Sequence, residues 1–185
     1  QSKRERKMLL SLHAVIMAGG EGVRLRPLTV ALPKPLVPLA GEPVMGYALK
    51  LLKAHGITDV TATLCYQPRK IREAFGRGEA YGIKLRYFEE TTPMGTAGGV
   101  RAAARGEGTT LVLSGDGLTD CDLSQALAFH REKGALVTIV LKKSRKPLAF
   151  GVVMTERGGR VTRFIEKPSW NRAYSDLVNT GVYLL

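Results

Sequence analysis

An α/β fold, Rossmann-like in three layers, is predicted by three features of the sequence. Apolar runs alternate with amphipathic segments, a glycine cluster follows the first apolar run directly, and a Gly158-Gly159 pair separates two β-rich runs. Alternating strands and helices call for a mostly parallel sheet, because each crossover helix packs back onto the sheet before the next strand is added. The glycine pair predicts a β-hairpin added to that sheet, which makes it mixed. A length of 185 residues fits one domain with a genuine core.

Taken in order, "HAVIMA" reads as a short buried strand, and "VMGYALKLLKAHG" has helical periodicity with Gly56 as its stop. "DVTATLCY" is a second strand; "PRKIREAFG" is a helix with proline in its first turn and Gly76 behind it. A strand at "IKLRYFE", a glycine-opened helix at "GTAGGVRAAAR" and a buried strand at "TTLVLSGD" come next. "DLSQALAFHREKG" predicts a helix capped by Asp122, and "ALVTIVLKK" another strand. "FGVVMTERGGRVTRFIEK" is the hairpin, and "VNTGVYLL" the last strand. In open α/β sheets ligands bind outside the carboxyl ends of the strands, so the loops after Ala18, Glu90 and Ser114 are expected on one rim.

Composition narrows the function classes. Hydrophobic content of 44% and charged content of 24% are ordinary for a soluble protein. The longest apolar runs, such as "ALVTIVL", are far short of the roughly 20 residues that cross a bilayer, so no membrane is expected. Without a charged-then-apolar leader, the expected location is cytoplasmic. Cys65 and Cys121 make neither a disulfide framework nor a CxxC knuckle, and both read as buried or half-buried thiols. A net charge of +12 favours anionic partners. Lys3, Arg4, Arg6 and Lys7 belong to a basic tail or upstream segment over residues 1–12, expected disordered and set apart from a domain at 13–185. The other cations are scattered without interleaved aromatics, which argues against nucleic acid as the partner.

The stretch "AVIMAGGEGVRLRPLTVALPKP" carries the first chemistry. Gly19, Gly20 and Gly22 follow a strand immediately, so the backbone can approach a ligand and aim N–H groups at phosphate oxygens. No Gly-Lys arrives at the spacing of a P-loop, and Leu25 stands where a dinucleotide fingerprint needs its third glycine. Instead Arg24 follows closely, and two prolines hold Lys34 in an extended segment. A flexible loop beside a stiffened lysine suits a site that grips a triphosphate.

This stretch closely resembles the GGxGxRLxPxTxxxPKP signature of the sugar-1-phosphate nucleotidylyltransferases, or sugar-nucleotide pyrophosphorylases. The resemblance continues through "TTPMGTAGG", "LSGDGLTD", "FGVV", "FIEKPSW" and "NTGVYLL" in the family's order, covering nearly all of residues 13–185. Within the family it is similar to the mannose-1-phosphate guanylyltransferase-like branch. It implies a nucleotide-diphospho-sugar transferase fold. The implied reaction is attack by a sugar-1-phosphate oxygen on the α-phosphorus of a nucleoside triphosphate, releasing pyrophosphate. A phosphate monoester, with a second pKa near 6, is already an anion at neutral pH and needs no general base. The demand is electrostatic: cations, backbone amides and a metal must gather two polyanions and neutralise the leaving group.

Residue by residue, the resemblance implies that Arg24 holds the leaving phosphates and Lys34 the phosphates nearer the reacting centre. Asp116, at the end of a buried strand, matches the metal-binding aspartate, with Mg²⁺ as the implied cofactor. Ala18, Gly19, Gly20, Gly22, Gly95 and Thr96 match the nucleotide-binding positions. Glu90 stands where some relatives carry glutamine. As an acceptor-only carboxylate it would suit the paired N1–H and N2–H₂ donors of guanine, which tilts the base towards GTP. Gly151, Glu166, Lys167 and Asn179 match the sugar-phosphate contacts, with Lys167 also among the catalytic cations. Phe150 replaces a tyrosine common in relatives and removes a phenolic hydrogen bond. Asp120 and Asp122 read as turn and cap residues.

The leading expectation is therefore GTP with mannose-1-phosphate. Glucose-1-phosphate thymidylyl or uridylyl transfer stands next to it, and a non-catalytic nucleotide-sensing relative after that. The resemblance also implies further sheet, helices and a second metal-binding aspartate beyond the matched part, so the domain is expected to be incomplete at its C-terminus. A homo-oligomer is left open.

Overall fold

The computed structural model of the chain describes residues 12–92, 94–105, 108–169, 171 and 174–185. The expected basic tail over 1–12 therefore lies outside the described residues, except Leu12, which is buried in the core. The main sheet is built around β1 (His13–Met17), whose residues 13–16 are all buried because the strand is covered on both faces. Beside it run β4 (Asp59–Leu64), β5 (Lys84–Glu89) and β6 (Thr110–Ser114), all parallel, in the order β5-β4-β1-β6.

Beyond β6 the sheet turns antiparallel. The last strand, β10 (Leu177–Leu184), pairs with β6 through Tyr183↔Val112 and Leu184↔Leu111. Its opposite edge carries β7 (Thr138–Lys143), with a register shift between Asn179 and Tyr183. The edge shared with β6 also meets β8 (Gly151–Thr155) at Val178↔Val152. The expected hairpin joins β8 to β9 (Val161–Glu166), turning through Gly158 and Gly159, both at φ 88°. A second, two-residue-arm hairpin, β2 (Pro38–Leu39) with β3 (Glu42–Pro43), was not foreseen.

Two unequal cores sandwich this sheet. On one face Ala14, Ile16, Val60, Ala62, Leu64, Leu111 and Leu113 meet α2 (Val44–Ala54), α3 (Pro68–Phe75) and α5 (Leu123–Lys133), with Met45, Leu49, Leu52, Ile71 and Leu123 fully buried. On the other face Val15 and Val112 meet Val100 and Ala103 of α4 (Gly95–Ala103), with the partly buried Met17, Phe88 and Tyr183 packed against them. A four-residue α1 (Leu28–Ala31) sits in the long loop after β1.

Helix ends follow the sequence signals. Asp122 caps α5, its Oδ1 accepting from the Gln125 N–H at 3.0 Å. Gly76 ends α3, and Gly56, at φ 73°, donates to Lys53 O at 2.9 Å just past α2. The expectation for Cys65 is corrected: it is exposed, because β4 stops at Leu64 and the thiol already lies on the rim. Cys121 is half-buried, as expected.

Candidate active site

The loops expected on one rim are there, held by backbone hydrogen bonds between neighbouring strand ends. Ala18 N–H donates to Thr63 O at 3.0 Å, Gly115 N–H to Met17 O at 2.9 Å, and Glu90 N–H to Leu64 O at 2.8 Å. Gly19 is part of the same lattice, accepting from Tyr66 N–H at 3.3 Å.

The glycine loop separates into structural and open positions. Gly22 is at φ 65°, and a Cβ there would stand 2.9 Å from Thr29 Cγ2 and 3.1 Å from Lys34 Cβ. The Thr29 hydroxyl fastens the turn by donating to Gly22 O at 2.8 Å. Gly20, by contrast, has nothing among the described residues within 4 Å of its would-be Cβ, and neither has Gly95 at φ 68°. Their backbones are therefore open to a ligand. Arg24 lies in the 3-10 turn Val23–Leu25, with its side chain outside the described part.

Lys34 opens a second 3-10 turn, Lys34–Leu36, behind Pro33, and reaches across the rim to Asp116. Its ammonium donates to Asp116 Oδ2, while the Ser114 hydroxyl donates to Oδ1. Burial pushes the Asp116 carboxyl up, but the hydrogen bonds from Lys34 and Ser114 and the nearby positive charge outweigh it, holding the group below its ordinary value. It is therefore a carboxylate at neutral pH.

No group of three or more His, Cys, Asp or Glu gathers anywhere among the described residues. Asp116 is nonetheless a fit for a hard divalent ion, because Mg²⁺ takes one or two carboxylates and completes its shell with phosphate oxygens and water. A cation already faces this carboxylate in the form of the Lys34 ammonium.

A cleft of about 590 Å³ opens on the other side of Asp116. Its walls include Gly151, Glu166, Lys167 and Asn179, which the sequence placed there, and Ser114, Thr180, Lys142 and Lys143, which it did not. Gly151 pairs with Glu166 across the hairpin, and a Cβ at Gly151 would stand 2.6 Å from Phe164 Cζ and 2.9 Å from Glu166 Oε2. Only glycine leaves that floor clear. Lys167 sits at φ 40°, its N–H donating to Phe150 O at 3.1 Å and its ammonium 3.6 Å from Glu166 Oε1. Asn179 spends its amide oxygen on Gly181 N–H at 3.0 Å, and its NH₂ donates to the Tyr183 hydroxyl. One amide hydrogen is left for a ligand.

Glu90 is also engaged: Oε2 accepts from Met94 N–H at 3.0 Å, just ahead of α4, and the carboxyl group sits against Gly99. Thr96 is exposed in the first turn of that helix. The rim thus brings together the glycine loop, Lys34, Asp116 and the cleft lined by Gly151, Glu166, Lys167 and Asn179, while Glu90 is occupied in holding its own loop.

The profile of the family described as "Nucleotidyl transferase" matches residues 13–185. The chain is 40% identical over 175 residues to a mannose-1-phosphate guanylyltransferase of Mycobacterium tuberculosis, covering 94% of this chain and 48% of that protein. It is 35% identical over 188 residues to a UTP–glucose-1-phosphate uridylyltransferase of Synechocystis sp., with the same coverage, 94% and 48%. The chain thus spans about half the length of the curated relatives it matches. A candidate glucose-1-phosphate thymidylyltransferase of Bacillus anthracis, solved in complex with a sucrose, superposes with a TM-score of 0.84 at 25% identity, covering 94% of this chain and 70% of that one.

Proposed function

The chain belongs to the nucleotidyl transferase family, and from that premise we propose that its rim transfers a nucleotidyl group from a nucleoside triphosphate to a sugar-1-phosphate. The observation that carries the proposal is the cluster of Lys34, Ser114 and Asp116, with an open glycine loop on one side and a cleft on the other. The sugar phosphate oxygen forms a bond to the α-phosphorus as the bond to pyrophosphate breaks. Backbone amides of Gly19 and Gly20, with Arg24, cradle the departing phosphates. Lys34 stabilises charge at the phosphates nearer the reacting phosphorus, and Lys167 anchors the sugar phosphate while Glu166 and Asn179 orient hydroxyls. Mg²⁺ would be held by Asp116 and supply charge neutralisation on the phosphates.

The finer pairing we favour is GTP with mannose-1-phosphate. The acceptor-only Glu90 at the base loop and the 40% identity to a guanylyltransferase support it. The Glu90–Met94 hydrogen bond favours a second reading, a uridylyl or thymidylyl transfer to glucose-1-phosphate, because it takes an oxygen that guanine would need. A matrix of nucleotides against sugar-1-phosphates, scored by pyrophosphate release with and without Mg²⁺, tests both. Release is expected with at least one pair, strongest for GTP with mannose-1-phosphate. No release from any pair, or full turnover after chelation of Mg²⁺, would overturn the respective assignment.

A further inference from the structure

Asn179 can orient a sugar hydroxyl only if its own amide is held still, and the last strand carries a device that holds it. Along β10, Asn179 pairs with Leu141 of β7 and Tyr183 with Ile139, so four steps of one strand face two of the other. The surplus is a bulge, and bulges re-aim side chains next to active sites. The Thr180 hydroxyl pins it by donating to Val140 O at 2.7 Å. Gly181, at φ 79°, brings it within contact of Ser114, whose Cβ would stand 3.4 Å from a Cβ at Gly181. The bulge thus lies against the residue whose hydroxyl holds Asp116.

Hydrogen bonds inside the bulge have one polarity only. Gly181 N–H can only donate, so the atom it meets at 3.0 Å is the amide oxygen of Asn179. The amide nitrogen then faces Tyr183, whose hydroxyl oxygen accepts from it. The Tyr183 ring is itself mounted on the sheet. It packs on the cluster of Val15, Val100 and Val112, and with Met17 it walls an apolar groove of about 570 Å³. Closing the bulge does not need the phenol, because Thr180 and the bond from Gly181 N–H already fasten it. What the phenol adds is a second point of attachment for the Asn179 amide, beside the cleft that Asn179 lines.

We propose that Tyr183 is a positioning residue for the sugar-1-phosphate: its hydroxyl locks the Asn179 amide in the rotation that offers the ligand a donor hydrogen. The inference rests on the nucleotidyl-transfer reading and adds a residue to its sugar side. Tyr183 acts through Asn179, so its effect on the sugar must vanish when that amide is gone.

Tyr183→Phe tests this, since the ring and its packing stay and only the hydroxyl goes. In the ¹⁵N-labelled chain the side-chain NH₂ of Asn179 should lose order on this change, its order parameter falling below about 0.6, while the β10 backbone keeps its own. Calorimetric affinity for mannose-1-phosphate and glucose-1-phosphate is measured with and without an α,β-methylene analogue of GTP, which cannot pass on its nucleotidyl group. Sugar affinity should fall about fivefold or more, the scale of one lost hydrogen bond, with nucleotide affinity kept within about twofold. In the Asn179→Ala background the same substitution should move sugar affinity by no more than about twofold. An Asn179 amide of equal order in parent and variant overturns the proposal. So does a sugar affinity within about twofold of a measurable parent value, or an undiminished loss in the Asn179→Ala background. A mobilised amide in a chain whose parent binds neither sugar-1-phosphate upholds the hold on Asn179 and overturns the transfer reading instead.

Discussion

Both ends of the parallel strands hold a cation against an aspartate, and the two pairs are built differently. At the carboxyl end Lys34 meets Asp116 between an open glycine loop and a cleft, with Ser114 on the other carboxylate oxygen. At the amino end Arg86 meets Asp59, with His13 Nδ1 3.6 Å from the same carboxylate. Here the surroundings are the sheet itself: His13 is 4% exposed and its ring nitrogens have no hydrogen-bond partner among the described residues. The contrast teaches that a charge pair is available for chemistry only where the backbone around it is left bare. At the base the same residue types serve to finish a sheet edge.

The contrast breaks most readily at Lys34 and Asp116. Lys34→Ala and Asp116→Asn are each expected to cut kcat/KM for pyrophosphate release by about 100-fold or more, the scale of removing a preorganised transition-state contact. Turnover within about threefold of the parent in both would erase the distinction between rim and base. Gly22→Ala should come next, because it combines φ 65° with a Cβ 2.9 Å from Thr29 Cγ2. It is expected to cost about 1–3 kcal/mol in urea unfolding and to weaken nucleotide binding with it.

At the base the readout moves from activity to stability. Asp59→Asn should lower stability by no more than about 1 kcal/mol, since its carboxylate is nearly half exposed, and leave turnover within about twofold. A large loss of turnover there would mean that the two ends are coupled. The smallest effect is a pH slope. Burial pulls His13 below its ordinary 6.5, further than the Asp59 carboxylate pulls it back up. The unfolded chain therefore binds the extra proton first, and stability rises with pH from the lowered folded value up to about 6.5, then levels. Urea midpoints at acid and neutral pH should show this rise, and His13→Gln should flatten it. Asp116, also lowered, adds its own rise with pH, confined below 3.8.

Much of this was legible in the chain. The glycine cluster after a buried strand, Lys34 between prolines and Asp116 at a strand end located the rim. Asp122 and the Gly158-Gly159 pair marked a helix start and a hairpin by local chemistry alone. What escaped was set by pairing at a distance. The run "LKKSRKP" looks like a solvated strand end until β10 pairs Lys142 with Val178 and Lys143 with Leu177 at the wall of the cleft. Ser114 reads as one more residue of a buried strand until its hydroxyl is found on Asp116. Hydrogen bonds that consume polar side chains were equally hidden: Glu90 on Met94 N–H, and Asn179 on Gly181 N–H. The exposure of Cys65 turned on where β4 stops, a boundary that propensity places poorly.

The unequal insulation of the sheet has a consequence for breathing. Helix α4 opens with Gly95 and Thr96, and among the described residues its buried side chains are the small Val100 and Ala103, whereas α2 sinks Met45, Leu49 and Leu52 into the larger core. Its amide protons should trade with deuterium through local opening well before those of α2. The helix that opens with the unobstructed Gly95 is thus the one with the least to lose by yielding.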